Sequence, residues 1–408
     1  MLKNYLLMLM LGAIAFVLPA CKDDDDPLPE PIGGAEFVKS GILTEDETWT
    51  ADNVYILDGR VVVGENVTLT IEAGTIIKGE EGQTTSASAL IVDQGGKLIA
   101  NGTAERPIVF TSVLDNIQPG QKSGTNLTTA DVGLWGGIIM LGRAPISVSG
   151  DQETGQIEGI PANEPYGQYG GTIPDDNSGS LQYVSIRHGG VSIGSDNEIN
   201  GLTLGGVGTG TTIRNIEVVA NLDDGIEWFG GTVNASNLLV WAQGDDALDV
   251  DQAYSGTISN ALVIQGSEPG SALELDGPEG ETTDATAPFT IDGVTILGNS
   301  GNGIIADLRD GVLANLKNIL VLGTGADAHV NIKEGDTFAE LEKGNIVFSN
   351  WEIVLAEGAT VDGLIKGAGA HSNRFTDHLT PLASAEDATV GADQSIFNWT
   401  YAAQQQAF

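Results

Sequence analysis

The stretch TIRNIEVVA, residues 212–220, decides the fold because it recurs. The same pattern returns as LQYVSIRHG (181–189), NASNLLVWA (234–242), TISNALVIQ (257–265), TIDGVTILG (290–298) and NLKNILVLG (315–323). Superposing these segments puts Val184, Ile216, Leu238, Ala261, Val294 and Ile319 at one position, in steps of 32, 22, 23, 33 and 25 residues. Two positions on stand Ile186, Val218, Val240, Val263, Ile296 and Val321, every one β-branched. Residues two apart on a strand point the same way, so both sets are expected to enter one core. A repeat of this length, built on short β-branched strands without 3.6-residue periodicity, is one coil of a solenoid. The expected fold class is all-β, a right-handed parallel β-helix.

Just before the first core position sit Asn215, Asn237, Asn260 and Asn318, with Gly293 in the remaining coil. Asn and Gly tolerate the left-handed backbone that a sharp bend needs. Stacked Asn side chains can also hydrogen-bond from coil to coil, and such a stack resembles the ladders of pectate-lyase-like β-helices. A second strand follows each first one: DGIEWFG (224–230), DALDVDQ (246–252), SALELDG (271–277), NGIIADL (302–308) and DAHVNIK (327–333). Its inward residues are expected to be Ile226, Leu248, Leu273 and Ile304, then Trp228, Val250, Leu275 and Ala306.

The N-terminal half carries the same β-rich texture in residues 49–82, 88–112 and 133–142. GTAERPIVFTS (102–112) and GLWGGIIMLG (133–142) bring the chain closest to extracellular right-handed β-helix proteins. It resembles the surface lipoproteins of Bacteroidota in particular, over roughly residues 40–400. That likeness implies a fold and little about activity. Residues 113–130 and 144–180 read as insertions, and the segment from about 336 as the closure of the C-terminal end, where an open sheet edge would template aggregation. The expected organisation is therefore a leader over 1–20, a linker over 21–40 and one domain over 41–408.

The leader rests on its own residues. Lys3 supplies a positive charge, and Leu6 to Val17 form an apolar run too short to span a bilayer. The run ends in Leu18-Pro19-Ala20-Cys21, which resembles a lipobox, and Cys21 is the chain's single cysteine. The resemblance implies cleavage before Cys21, acylation of its thiol and attachment to the outer membrane. Asp23 to Asp26 resemble the surface-export signal of Bacteroidota lipoproteins, so the expected orientation is toward the cell exterior. The Pro-rich stretch after them cannot bury a core and reads as an extended spacer.

With 56 Asp+Glu against 17 Lys+Arg, the net charge is −39. Such a surface repels nucleic acid and attracts cations, Ca²⁺ among them. The outward positions of the second strands concentrate this charge. Glu227, Asp249 and Glu274 align in one column, and Asp251, Asp276 and Asp307 are expected in the next, two residues on. Carboxylates stacked about 4.8 Å apart repel by about 3–4 kcal/mol at an effective dielectric of about 20. A cation relieves that repulsion, and carboxylate oxygens suit Ca²⁺. Asp223-Asp224 and Asp245-Asp246 can add ligands from the turns. The alternative is a solvated acidic face.

On the first strands the outward positions are apolar: Val219, Trp241, Ile264, Leu297 and Leu322, with Leu239, Leu262 and Leu320 beside them. Either another segment of the chain covers this stripe, or it docks a protein or glycan with Trp241, Ile264 and Leu297 at its centre. Catalysis has less support. Asp223-Asp224 and GDDALDVD (244–251) resemble the clustered aspartates of polygalacturonases, and His329 and Lys333 their basic end. The Gly-His-Gly and Arg-x-Lys of that family are missing, and Arg187 and His188 lie several coils from Asp249. The leading expectation is a non-enzymatic, Ca²⁺-stabilised binding or adhesion module. The alternative is a lyase or hydrolase of acidic glycans.

Overall fold

The computed structural model describes residues 34–82, 86–194, 197–267, 270–280, 287–301 and 303–408. Cys21, the run before it and the acidic spacer lie outside the described residues.

Strands stack in parallel, each pairing with its counterpart one coil later, into a right-handed parallel β-helix. The long strands Gly179–Arg187, Thr212–Val219, Ala235–Trp241, Thr257–Ile264, Phe289–Leu297 and Ala314–Leu322 pair in that order. Their register is the one the repeat dictates: Val184, Ile216, Leu238, Ala261, Val294 and Ile319 form one column, and Ile186 through Val321 the other. All twelve side chains belong to a single core that runs from Leu43 to Leu379. β-branched residues suit these columns because their stiff side chains pack on the pleat and on the copy above.

Each long strand bends once, and the bend divides it between two faces. Residues 180–182 pair with the strand Lys97–Asn101, whereas Val184 to Ile186 pair with the separate strand Ile108–Ser112. The bend falls on Asn215, Asn237, Asn260, Gly293 and Asn318, all with positive φ. Asn237 Nδ2 donates to Asn215 Oδ1 at 2.9 Å, and Asn260 Nδ2 to Asn237 Oδ1 at 2.8 Å. Tyr183 occupies the same position in the first repeat, and Asn350 in a coil beyond the last one. The short strands Leu202–Gly205, Ile226–Phe229, Leu248–Asp251, Leu273–Leu275, Ile304–Leu308 and His329–Ile332 build the third face.

Three features depart from the sequence reading. Stacking continues past residue 336: Ile346–Val354 pairs with Ala314–Leu322 on one side and Leu379–Leu382 on the other. Phe348, Trp351 and Phe375 then pack edge to face, at centroid distances of 5.1–5.8 Å, near the C-terminal end of the core. Second, the 144–180 insertion packs down: Ile157, Ile160, Tyr166 and Tyr169 join Ile91, Ile139, Leu141 and Phe229 in a cluster on the outside of the third face. Third, the strand Ile304–Leu308 sits two residues out of the expected register. Ser271 pairs with Ile304 and Leu275 with Leu308, so Leu308 takes the inward place expected of Ala306.

Candidate functional site

The third face owes its acidity to alternation. With Ile226, Trp228, Leu248, Val250, Leu273 and Leu275 buried inward, the residues between them must point outward. Parallel pairing then puts Glu227, Asp249 and Glu274 in one column, as expected. The two-residue difference in register at Ile304–Leu308 corrects the rest. Asp307 pairs with Glu274, not beside Asp276, and the column runs on to Asn331 and Lys366. The same shift delivers Arg309 to Asp276.

Charge on this face is divided into two halves. In the C-terminal half Glu274, Asp276 and Asp307 each have a cation. Arg309 grips Asp276 through Nε and Nη2, at 2.7 and 2.5 Å, and also pairs with Glu274. Lys333 stands 3.3 Å from Asp307, whose other oxygen accepts from Asn331 Nδ2 at 2.7 Å. In the N-terminal half, among the described residues, Asp224, Glu227, Asp249 and Asp251 form no ion pair with any Lys, Arg or His. Asp224, Glu227 and Asp249 are buried, and one oxygen from each lies within 4.8 Å of the others. Asp223, Asp224 and Asp245 meet the same criterion at the turn.

Hydrogen bonds hold this half in place without neutralising it. Asp224 Oδ1 accepts from the Asp246 amide of the next coil at 2.8 Å, and Asp246 Oδ1 accepts from the amide of Ser271. Asn200 donates from Nδ2 to Glu227 and, at 3.4 Å, to Glu158 of the packed insertion. Among the described residues, Asp249 Oδ1 and Asn200 Oδ1 are buried with no partner. Burial, and then the neighbouring carboxylates, push the carboxyls of Asp224, Glu227, Asp249 and Asp251 well above the usual range. Glu274 is pushed up to about 9 by burial and by Asp246, with Arg309 opposing. A cluster of oxygens with unmet charge, open lone pairs and fixed geometry can bind a hard cation.

The two other groups of predicted residues are internal supports. The apolar stripe is covered by the C-terminal segment of the chain itself. Leu239, Leu262 and Ile264 are buried against Phe397 and Ala402, with Trp241 and Leu297 packed alongside Ala407 and Phe408. Val219 lies under Tyr401. Trp241, Ile264 and Leu297 therefore do not form a free docking surface: packing against the C-terminal segment takes the stripe's apolar area out of water. Arg187 and Glu217 are buried beneath the same segment, where Glu217 Oε1 accepts from the Ala402 amide at 2.8 Å and the Tyr401 ring lies 4.6 Å from the Arg187 guanidinium. His188, with positive φ, bonds through Nδ1 to the carbonyl of Asp131 at 2.7 Å.

Asn200 and Glu158 carry no repeat signal. One precedes a strand and the other lies in an insertion, so only the packed fold brings them to Glu227.

A family model described as the pectate-lyase-like β-helix domain matches residues 41–403, nearly the whole described chain. The protein belongs to that family. No curated protein and no solved structure matches it. Membership agrees with the three-faced coil and the Asn ladder, and leaves the activity of this β-helix to be argued from its own residues.

Proposed function

We propose that this β-helix is a lipoprotein, attached to the outer membrane through an acylated Cys21 and facing the cell exterior. We assign it a non-enzymatic binding or adhesion role toward a glycan or protein, with Ca²⁺ stabilising the acidic face. The observation that carries the cation reading is the uncompensated N-terminal half of that face, where Asp224, Glu227 and Asp249 converge with no base among the described residues. The lipobox-like Leu18-Pro19-Ala20-Cys21 supports the anchor, and the acidic run after it supports export. A single acyl chain holds weakly, and more than one makes the attachment stable.

Two measurements test this. Ca²⁺ added to the chelated protein should raise its melting temperature, and no rise would remove the cation from the reading. Cys21→Ser should move the protein from the membrane fraction to the soluble one and abolish fatty-acid labelling.

A second reading, a lyase or hydrolase of acidic polysaccharides, is favoured by the convergence of Asp223, Asp224 and Asp245 from consecutive turns, since paired carboxyls in unlike environments can serve as acid and base. It is tested by incubation with an acidic-polysaccharide panel, with and without Ca²⁺. New reducing ends or unsaturated uronides that vanish in Asp245→Asn would establish it in place of the binding role.

A further inference from the structure

The acidic face is one continuous sheet, yet its carboxylates are neutralised in two ways. Where Arg309 and Lys333 reach, the charge is met from within the chain. Asp276 receives two guanidinium bonds, Glu274 shares the same guanidinium, and Asp307 has an ammonium and an amide. None of these three has its charge unmet. One and two coils before Glu274 the same column carries Asp249 and Glu227, with Asp224 in the turn before and, among the described residues, no base in place.

We propose that the face binds a single divalent cation, held by Asp224, Glu227 and Asp249, and that Arg309 is the built-in counterion that excludes a second one from Glu274 and Asp276. This rests on the cation reading above and specifies which carboxylates serve it. Oxygens within 4.8 Å of one another can all lie about 2.3–2.6 Å from one central ion, the span of Ca²⁺ coordination. Two further observations point to a ligand at this spot. Asp249 is nine-tenths buried, and its Oδ1 has no hydrogen-bond partner. Asn200 is fully buried with its amide nitrogen on Glu227, and its Oδ1 is likewise unpartnered. Asn200 is a positioning residue: its bonds to Glu227 and Glu158 fix the carboxylate that the ion would meet. The ion joins adjacent coils, since Glu227 and Asp249 are register partners.

The test is calorimetric titration of the mature chain with Ca²⁺ after chelation, with circular dichroism to confirm folding of each variant. Wild type should bind one ion. Glu227→Gln and Asp249→Asn should lose the binding heat, and Asp276→Asn should keep it. Arg309→Gln should raise the stoichiometry from one to two, because Glu274 and Asp276 then lack their cation. If Arg309→Gln does not fold, the contrast between Glu227→Gln and Asp276→Asn still decides. Binding of more than one ion by wild type, or binding that survives Glu227→Gln and fails in Asp276→Asn, overturns this assignment and leaves a cation on the face. No Ca²⁺ binding at all overturns the cation reading itself.

Discussion

Arg187 and Glu217 face each other from adjacent coils, 3.8 Å apart, and both are sealed beneath the C-terminal segment. Ser185 links them, its hydroxyl donating to Glu217 and accepting from Arg187 Nε. Removing one partner of a buried pair strands the other charge, at about 3–5 kcal/mol. Glu217→Ala should therefore lower the denaturation free energy by about that amount. A double substitution, Arg187→Met with Glu217→Leu, should recover most of it, as chemical denaturation can measure.

The C-terminal segment has a separable role in covering the apolar stripe. Phe397 is fully buried among Leu239, Leu262 and Ile264. Phe397→Ala should cost about 3–5 kcal/mol. A chain ending at residue 388 should keep its β signal in circular dichroism but bind a hydrophobic dye and self-associate. A truncated chain that stays monomeric and dye-free would show that the stripe needs no cover.

At Asn237 the bend and the ladder can be separated. Its φ is 57°, and its side chain both donates along the ladder and accepts from the next rung. Glycine keeps the backbone and loses the ladder bonds, each worth about 1 kcal/mol net. Alanine loses those bonds and adds about 1–2 kcal/mol of left-handed strain. Thermal melts should rank wild type above Asn237→Gly, and that above Asn237→Ala.

Stability without divalent cations should fall as pH rises. Glu274 shifts from an ordinary 4.5 to about 9 through burial and Asp246, and burial also raises Asp224, Glu227, Asp249 and Asp251. A carboxyl whose folded pKa is raised binds more protons folded than unfolded between the two values. Its contribution is full below the unfolded pKa and is lost as pH climbs through the folded one. Melts in chelator should give a higher transition temperature at pH 5 than at pH 8. Added Ca²⁺ should narrow that gap by replacing protons as the neutralising species.

The core was legible because its signal is local and repeated. Val184 through Ile319 and Ile186 through Val321 recur on one pattern, and stacking identical strands leaves a single register that buries them all. The bends at Asn215, Asn237, Asn260 and Gly293 were legible for the same reason. The column Glu227–Asp249–Glu274 followed once the inward residues were assigned. Asp307 was misplaced by two positions, since a two-residue slip keeps every side chain on its face and NGIIADL offers apolar residues at both alternatives, so hydrophobic alternation does not tell the two registers apart.

By itself, then, the sequence determined the coil, its inward columns, the bend residues and the sign of charge on the third face, all consequences of a period of two within a repeat. Tertiary structure alone decided which charges are compensated. Arg309 reaches Asp276 only through the actual register, Glu158 reaches Asn200, and through it Glu227, only through a packed insertion, and the C-terminal segment covers Trp241 and Ile264 from well over a hundred residues away. Those contacts join segments of unlike pattern, where no periodicity exists to announce them, and Coulomb energy depends on distances that only the folded chain sets.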